Sequence, residues 1–496
     1  MNKNNFSKIL KIFVLMVFIL PCFLLIFSGC NFLSGVTIKD IKKTSTNDYM
    51  DTYTIYYTDG TTSTFTVKNG ADGQDAESLT ITQIYNECVE KGYTGSFNDF
   101  LKEYLSFDDV DTKTIAINQS LLSSVSIYSQ FQMIYDEPYY NTWGYYMGST
   151  KTKTTELSAG SGVIYNLDKE NGDAYIITNY HVVYNVDSEN QDGIGVIHAF
   201  LYGSSLEVYR KVDNSGNYIL DSEGYQDIYY GDDAISCEYI GGSMTYDIAV
   251  LKVSNSDIIK NSDARRVNIA SSYTVGETAI AIGNPEAEGF SITEGVVSVE
   301  SEYFTMLGAD NETEITFRTI RVDTPINSGN SGGGLFNKNG ELIGIVNAKI
   351  VDSEIENMGY AIPRDIVVNV AENIIYNYEN TTFRGVNKIT VGLSLEIQDS
   401  YSVFNVSTQK TEIIEKSMII AVSNNSLASV VGFEVNDYIQ SIEINGVVYK
   451  TTRQYQIIDL ALNIRIGDSV TYHVLRNGVN TNVSFVATSE YFSKVK

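Results

Sequence analysis

From Asp111 onward the chain is a succession of short β-type runs cut by Gly, Asn and Asp, and this restricts the folds open to it. Leu121–Ile127 reads as a first strand. Ser158–Ile164 follows, then Ala174–Val183 after a turn, and later Asp247–Val253. Many strands with turn signals and little helix imply a mainly β barrel or sandwich. Tyr139–Lys153, rich in tyrosine and including Trp143, reads as a surface loop. Pro363 is placed to open one helix, with Ile366, Val367, Val370 and Ile374 on one face. A polar linker is expected over Asn377–Asn387. A compact unit follows, with turns at Asn436-Asp437, Asn445-Gly446, Gly467-Asp468 and Asn477-Gly478 and a helix near Arg453–Leu462. At 496 residues, 43% hydrophobic and 19% charged, the chain can form two or three globular domains.

The amino terminus reads as an address. Lys3, Lys8 and Lys11 precede an apolar run from Ile12 to Phe27, then Ser28-Gly29-Cys30. A positive start, a hydrophobic middle and small residues before a cut describe a secretory signal. Small side chains before a cysteine resemble the lipobox of bacterial lipoproteins, which implies lipidation of Cys30 and residues 1–30 as a signal peptide. Phe27 stands where leucine is usual. An uncleaved signal anchor is the alternative, since the run is almost long enough to span a bilayer. Both readings put the rest of the chain on the extracytoplasmic face of a bacterial cell membrane.

Residues 31–110 read as a small module. Asp59-Gly60 sits between two alternating runs as a hairpin signal, and Asn69–Gly73 reads as a linker. Two short helices are expected around Ile81, Ile84, Tyr85 and Cys88 and around Phe100, Leu101, Tyr104 and Leu105. The formal net charge of −27 argues against nucleic acid and against a surface drawn to anionic lipid. Cys22, Cys30, Cys88 and Cys237 show no C-x-x-C spacing, and His181, His198 and His473 no H-E-x-x-H. Neither a metal nor a cofactor is expected.

Chemistry concentrates in Asp323–Gly334, which reads D-T-P-I-N-S-G-N-S-G-G-G. A serine hydroxyl becomes a useful nucleophile only when a base takes its proton and donors hold the resulting oxyanion. Glycines around Ser331 let the backbone turn sharply, so the N–H groups of Gly329 and Ser331 could converge beside Oγ. His181 closes an apolar run and Asp247 opens another. The order His, Asp, Ser, each at the edge of a β-run, supplies the set that acyl transfer needs: nucleophile, imidazole and orienting carboxylate.

Several ordered pieces resemble the HtrA/DegP family of trypsin-like serine proteases: Gly160-Ser-Gly-Val-Ile164, Ile177-Thr-Asn-Tyr-His-Val-Val183, Asp247-Ile-Ala-Val-Leu251, Ala281-Ile-Gly-Asn-Pro285, Thr293-Glu-Gly-Val-Val297, Thr324–Gly333, Leu342-Ile-Gly-Ile345 and Gly359-Tyr-Ala-Ile-Pro363. They cover roughly residues 115 to 375 in the family's order. The resemblance implies a chymotrypsin-like double β-barrel over 111–380 and a PDZ domain over 381–496. It implies Ser331 as nucleophile, His181 as general base and acid, Asp247 as orienting carboxylate, and Gly329 and Ser331 as the oxyanion hole. By analogy Ile326, Ile345, Asn347 and Ala348 line the substrate pocket. With no acid at its base, that pocket favours a small or medium apolar P1 residue over Lys or Arg. Val391-Gly392-Leu393 would receive peptide C-termini.

The implied activity is a surface-tethered serine endopeptidase for misfolded or exported proteins, with a homotrimer as the family's assembly. Tyr180, Gly334 and Leu427 depart from the family's usual residues. An insertion between His181 and Asp247, with turns at Asp213–Gly216 and Asp221–Gly224, reads as an added hairpin. A catalytically silent, peptide-binding or chaperone-like surface protein on the same scaffold is the alternative.

Overall fold

The computed structural model describes residues 38–47, 50–57, 60, 62–68, 112–285, 289–350, 358–406 and 408–495. The signal segment with Cys30, the two helices expected between Ile81 and Leu105, and Cys88 lie outside the described residues.

The chain divides into two compact units, residues 1–109 and 110–496. In the first, β1 (Ile38–Asn47), β2 (Met50–Tyr57) and β3 (Thr62–Lys68) form one antiparallel sheet. The hairpin expected at Asp59-Gly60 joins β2 to β3, with Tyr56 opposite Thr62 and Gly60 at φ +86°. Across β1 and β2, the Thr44 and Thr54 hydroxyls hydrogen-bond at 2.9 Å.

The second unit opens with α1 (Thr112–Leu121), not the strand expected from Leu121. Ile117 and Leu121, four residues apart, bury one helix face, and Ser120 Oγ donates to the Ala116 carbonyl. The strand begins only at Ser124, as β4 (Ser124–Tyr140). Next come β5 (Tyr146–Asp168), β6 (Asp173–Thr178), the one-turn α2 (Tyr180–Val183), β7 (Val196–Leu201), the short pair β8 (Tyr209–Arg210) and β9 (Ile228–Tyr229), β10 (Ile235–Ser243) and β11 (Ile248–Val253). Strands β10-β11-β6-β5-β4-β7 close into a barrel.

The segment expected as a loop over Tyr139–Lys153 is instead the end of a long ribbon. β4 and β5 stay paired out to Tyr140 opposite Tyr146, so only the turn between them is loop. Backbone pairing sustains a ribbon of Tyr and Thr even where no face is buried. The added hairpin between His181 and Asp247 is present as β8 and β9 with bridges at Val212–Tyr218 and Leu220–Gln226. Its turns close on Asp213, whose carboxylate accepts the N–H groups of Ser215 and Asn217, and on Asp221, which accepts those of Glu223 and Tyr225.

A second sheet contains β12 (Asn268–Ile269), β13 (Thr278–Gly283), β14 (Ser291–Leu307), β15 (Glu314–Val322), β16 (Gly334–Phe336), β17 (Glu341–Val346) and β18 (Gly359–Pro363). Its order is β12-β17-β16-β13-β14-β15-β18, and a further β17–β18 pairing joins it into a ring. Helix α3 (Arg364–Asn380) starts directly after Pro363 and buries Ile366, Val367, Val370 and Ile374, as its spacing implies. The linker expected over Asn377–Asn387 begins inside α3 and is exposed from 379 to 382, but its two ends are tied down. Asn373 and Asn377 are buried: Asn377 donates to the Gly385 carbonyl (2.8 Å), and Asn373 to those of Asn387 (2.7 Å) and Leu462 (3.1 Å). Their amides satisfy backbone groups that water cannot reach.

The last part pairs β19 (Val386–Ile389) with the final strand, and arranges β20 (Leu393–Asn405), β21 (Lys410–Val422), β22 (Tyr438–Ile444), β23 (Val447–Lys450), β24 (Ser469–Arg476) and β25 (Val479–Val486) around their own core. Helices α4 (Leu427–Val431) and α5 (Gln454–Leu460) pack on it. The four expected turns are present, with left-handed residues at Asn436, Asn445, Gly467 and Asn477.

Arg318 of β15 ties α5 to the second ring. It is 1% exposed and donates to Asp459 through Nε (3.0 Å) and Nη2 (2.6 Å), to Asp365 (2.9 Å) and to the Tyr273 hydroxyl (3.0 Å). The Tyr455 ring lies 4.0 Å from its guanidinium. Burial alone would push this guanidinium down, but Tyr273, Asp459 and Asp365 hold it above its ordinary value. Burial raises the Asp459 carboxyl, against the pull of Arg318. Asp459→Ala leaves the cation buried without its main partner, so a loss of about 3–5 kcal/mol is expected as a lower urea midpoint. Arg318→Met combined with Asp459→Leu should recover most of it. An equal loss in the double variant would refute this account.

Candidate active site

Three segments meet between the two β rings. The first is α2, which follows β6 and places His181 on a single helical turn. The second is the turn before β11, where Asp247 takes φ +50°, a conformation Asp tolerates better than most residues. The third is the loop before β16, which carries Ser331.

Asp247 is 3% exposed, and its carboxylate is surrounded by donors. Oδ1 accepts the backbone N–H of His181 (3.0 Å), while Oδ2 accepts His181 Nδ1–H (2.7 Å) and Asn347 Nδ2 (2.8 Å). A proton on Nδ1 leaves Nε2 as an acceptor, and Nε2 stands 3.0 Å from Ser331 Oγ. The Ala348 N–H also reaches Oγ, at 3.2 Å. The hydroxyl can therefore donate to imidazole while accepting from the backbone, which directs its proton at Nε2.

The serine loop is held from the first barrel. Ser161 of β5 donates its N–H to the Ser331 carbonyl (2.8 Å) and its Oγ–H to that of Gly329 (2.8 Å), and its Oγ accepts the Asn284 N–H (2.8 Å). Within the loop, Asn330 N–H bonds the Asn327 carbonyl, Gly332 N–H that of Val346, and Gly333 N–H that of Asn330. None of these bonds uses the N–H of Gly329 or Ser331, the two groups expected beside the oxyanion. Gly329 has φ +91°. Gly332 has φ +83°, and a Cβ there would lie 2.1 Å from the Ser161 carbonyl oxygen, so the close approach of barrel and loop requires glycine.

Of the four residues expected to line a substrate pocket, Ile326, Ile345 and Asn347 are buried. Ile345 is fully buried in the core on β17, opposite Gly334 and Ile362. Asn347 is fully buried too, and its amide is spent on Asp247. Ile326 and Ala348 share one apolar cluster, and Ala348 is only half-buried. The sequence reading missed Asn347 as a partner of Asp247. It also missed Ser161, which lies inside a quoted motif, and Lys349. Lys349 Nζ donates to the Gly308 carbonyl in the β14–β15 turn (2.9 Å); burial lowers its pKa, with Asp247 and Asp310 opposing.

Val391, Gly392 and Leu393 lead into β20. The Val391 carbonyl accepts the Ala428 N–H and the Gly392 carbonyl that of Ser423. All three line a cavity of about 370 Å³ with Ile457 and Ile458 of α5, Ala461 and Tyr472. His198 stacks on Tyr230 at 3.9 Å and His473 bonds Asn482, so neither joins the site. Among the described residues no group of three or more His, Cys, Asp or Glu could hold a metal ion.

Residues 160–345 match the trypsin-like peptidase domain. The chain is 29% identical over 336 residues to the serine protease Do-like HtrA of Bacillus subtilis (strain 168), spanning 66% of this chain and 63% of that protein. It is 28% identical over 335 residues to the protein of the same name from Lactococcus lactis subsp. cremoris (strain MG1363), spanning 66% and 70%. To that from Lactococcus lactis subsp. lactis (strain IL1403) it is 32% identical over 234 residues, spanning 46% and 47%. Residues 160–345 are thus similar to a peptidase domain of the trypsin-like class. Within that class the chain is similar to the HtrA proteases.

A hydrogen bond to a charged group contributes roughly 1.5–3 kcal/mol. Asn347→Ala is therefore expected to slow labelling of Ser331 by a fluorophosphonate about 10- to 100-fold, with the circular dichroism spectrum unchanged. Wild-type labelling in that variant would show that Asn347 does not steady Asp247.

Proposed function

We propose that the chain is a surface-tethered serine endopeptidase of HtrA/DegP type that cleaves misfolded or exported proteins through an acyl-enzyme. One observation carries this reading: His181 hydrogen-bonds Asp247 on one side and Ser331 on the other. Ser331 Oγ attacks the scissile carbonyl as His181 Nε2 takes its proton. Asp247 keeps the imidazole in the right tautomer and stabilises the imidazolium. The N–H groups of Gly329 and Ser331 stabilise the tetrahedral oxyanion, a contribution usually worth 10²–10³ in turnover per donor. His181 then protonates the leaving amine, and water repeats the cycle on the ester.

Residues 381–496 act as a PDZ domain in this reading. A peptide C-terminus enters the groove between β20 and α5, its carboxylate received at Val391-Gly392-Leu393. The apolar groove walls Ile457, Ile458 and Ala461 support that role. Lipid on Cys30 would hold the chain at the extracytoplasmic face of a bacterial cell membrane, and a homotrimer is the assembly to seek. Ile326 and Ala348 bound the pocket for a small or medium apolar P1 side chain.

A fluorophosphonate probe tests the chemistry. The wild-type chain should label and Ser331→Ala should not. Asp247→Asn should cut peptide turnover by about 10⁴. Persistent failure of the wild type to label, with C-terminal peptides added, would reduce the chain to a silent peptide-binding surface protein.

A further inference from the structure

The β4–β5 ribbon ends in a surface that catalysis does not use. From Pro138 to Thr150 there is no charged residue, in a chain whose net charge is −27. That span contains Tyr139, Tyr140, Trp143, Tyr145, Tyr146 and Met147, each more than half exposed, with Trp143 82% exposed. The backbone that carries them is an ordered turn. Asn141 Oδ1 accepts the N–H groups of Trp143 and Tyr145, and Asn141 N–H bonds the Tyr145 carbonyl. Tyr140 and Tyr146 meet edge to face at 6.0 Å. The turn thus holds an aromatic cluster outward that buries little of itself.

The ribbon's base is braced. Lys153 Nζ donates to the Glu223 carbonyl (2.7 Å), Arg210 to that of Thr155 (2.8 Å), and Thr155 Oγ1 to that of Gln226 (2.7 Å), so the inserted hairpin supports it. β4 pairs with β7 only as far as Gln130 and has a single further bridge at Met133. From Ile134 to Tyr140 its paired neighbour is β5. At about 3.3 Å per residue this stretch carries the tip roughly 20 Å beyond the barrel.

We propose that this tip is a membrane-interface wedge, seating Trp143 and the adjoining tyrosines in the headgroup layer of a zwitterionic lipid bilayer. Tyrosine and tryptophan combine an apolar ring with one polar atom, and the boundary between headgroups and acyl chains satisfies both at once. A second, strongly acidic copy of this chain gains no charge pairing from an uncharged tip, and anionic lipid would repel the rest of the molecule. The Ile12–Phe27 run with Lys3, Lys8 and Lys11, outside the described residues, is the part of the chain expected to address it to a membrane. The wedge rests on the tethered reading for its membrane, but Trp143 fluorescence and labelling of Ser331 report the tip and the chemistry independently.

Trp143 is the chain's single tryptophan, so its fluorescence reports the tip alone. The full chain is mixed with excess phosphatidylcholine vesicles, with or without brominated acyl chains. Bromolipid should quench Trp143 at least about two-fold and lipid should shield it from acrylamide. Tyr145→Ser with Tyr146→Ser should weaken both effects while fluorophosphonate labelling of Ser331 stays unchanged. Trp143 fully open to acrylamide and insensitive to bromolipid would overturn the proposal, whether or not the chain co-floats with vesicles. Shielding from acrylamide without quenching by bromolipid would also overturn it, since protein would then cover the tip.

Discussion

The site depends on one buried carboxylate. Asp247 accepts three hydrogen bonds, from the His181 backbone, the His181 ring and Asn347, at 3% exposure. A buried anion is tolerated only when donors replace the water it has lost. Here those donors come from both β rings, so stabilising the charge and aligning the imidazole are one physical event. If the rings separate, Asp247 loses Asn347 and His181 loses its serine together.

Ser161 works on the same seam. It belongs to β5 of the first barrel, yet it fixes two carbonyls of the serine loop and accepts a backbone N–H from Asn284 of the second ring. With the Ser331 and Gly329 carbonyls turned toward Ser161, the loop's amide groups are directed elsewhere, and no side chain of the loop has to do this work. The tight fit at Gly332 follows from the same contact. The chemistry is assembled at an interface between strands that each have their own core, which is why a rigid scaffold can carry it on loops.

What the sequence disclosed follows the range of the forces involved. His181, Asp247 and Ser331 sit in short stretches whose meaning is local, and the structure brings them together. Pro363 and the spacing of Ile366, Val367, Val370 and Ile374 made α3 legible for the same reason. Leu121–Ile127 misled because a short apolar run suits a helix end as well as a strand, and α1 is settled by its packing. The ribbon tip was hidden because strands without a buried face do not alternate. Asn347 was taken as pocket wall because only the fold shows its amide turned to Asp247. Asn377 and Asn387 read as a polar linker, although the Asn377 amide holds the Gly385 carbonyl and the Asn387 amide holds Asn377.

Helix α5 sits between two environments with opposite demands. Ile457 and Ile458 line the groove beside β20, whereas Asp459 holds Arg318 in the second ring and Tyr455 lies against the same guanidinium. Arg453, just before the helix, pairs with Glu300 of β14 and Glu415 of β21. β14 and β15 are the strands whose connecting turn holds Lys349, two residues beyond Asn347. A displacement of α5 that left Arg318 in place would take Asp459 from a buried cation that keeps only Asp365 and the Tyr273 hydroxyl. The groove beside β20 and the turn that holds Lys349 are thus linked by direct contacts, through α5 to β14 and β15 and from their turn to Lys349.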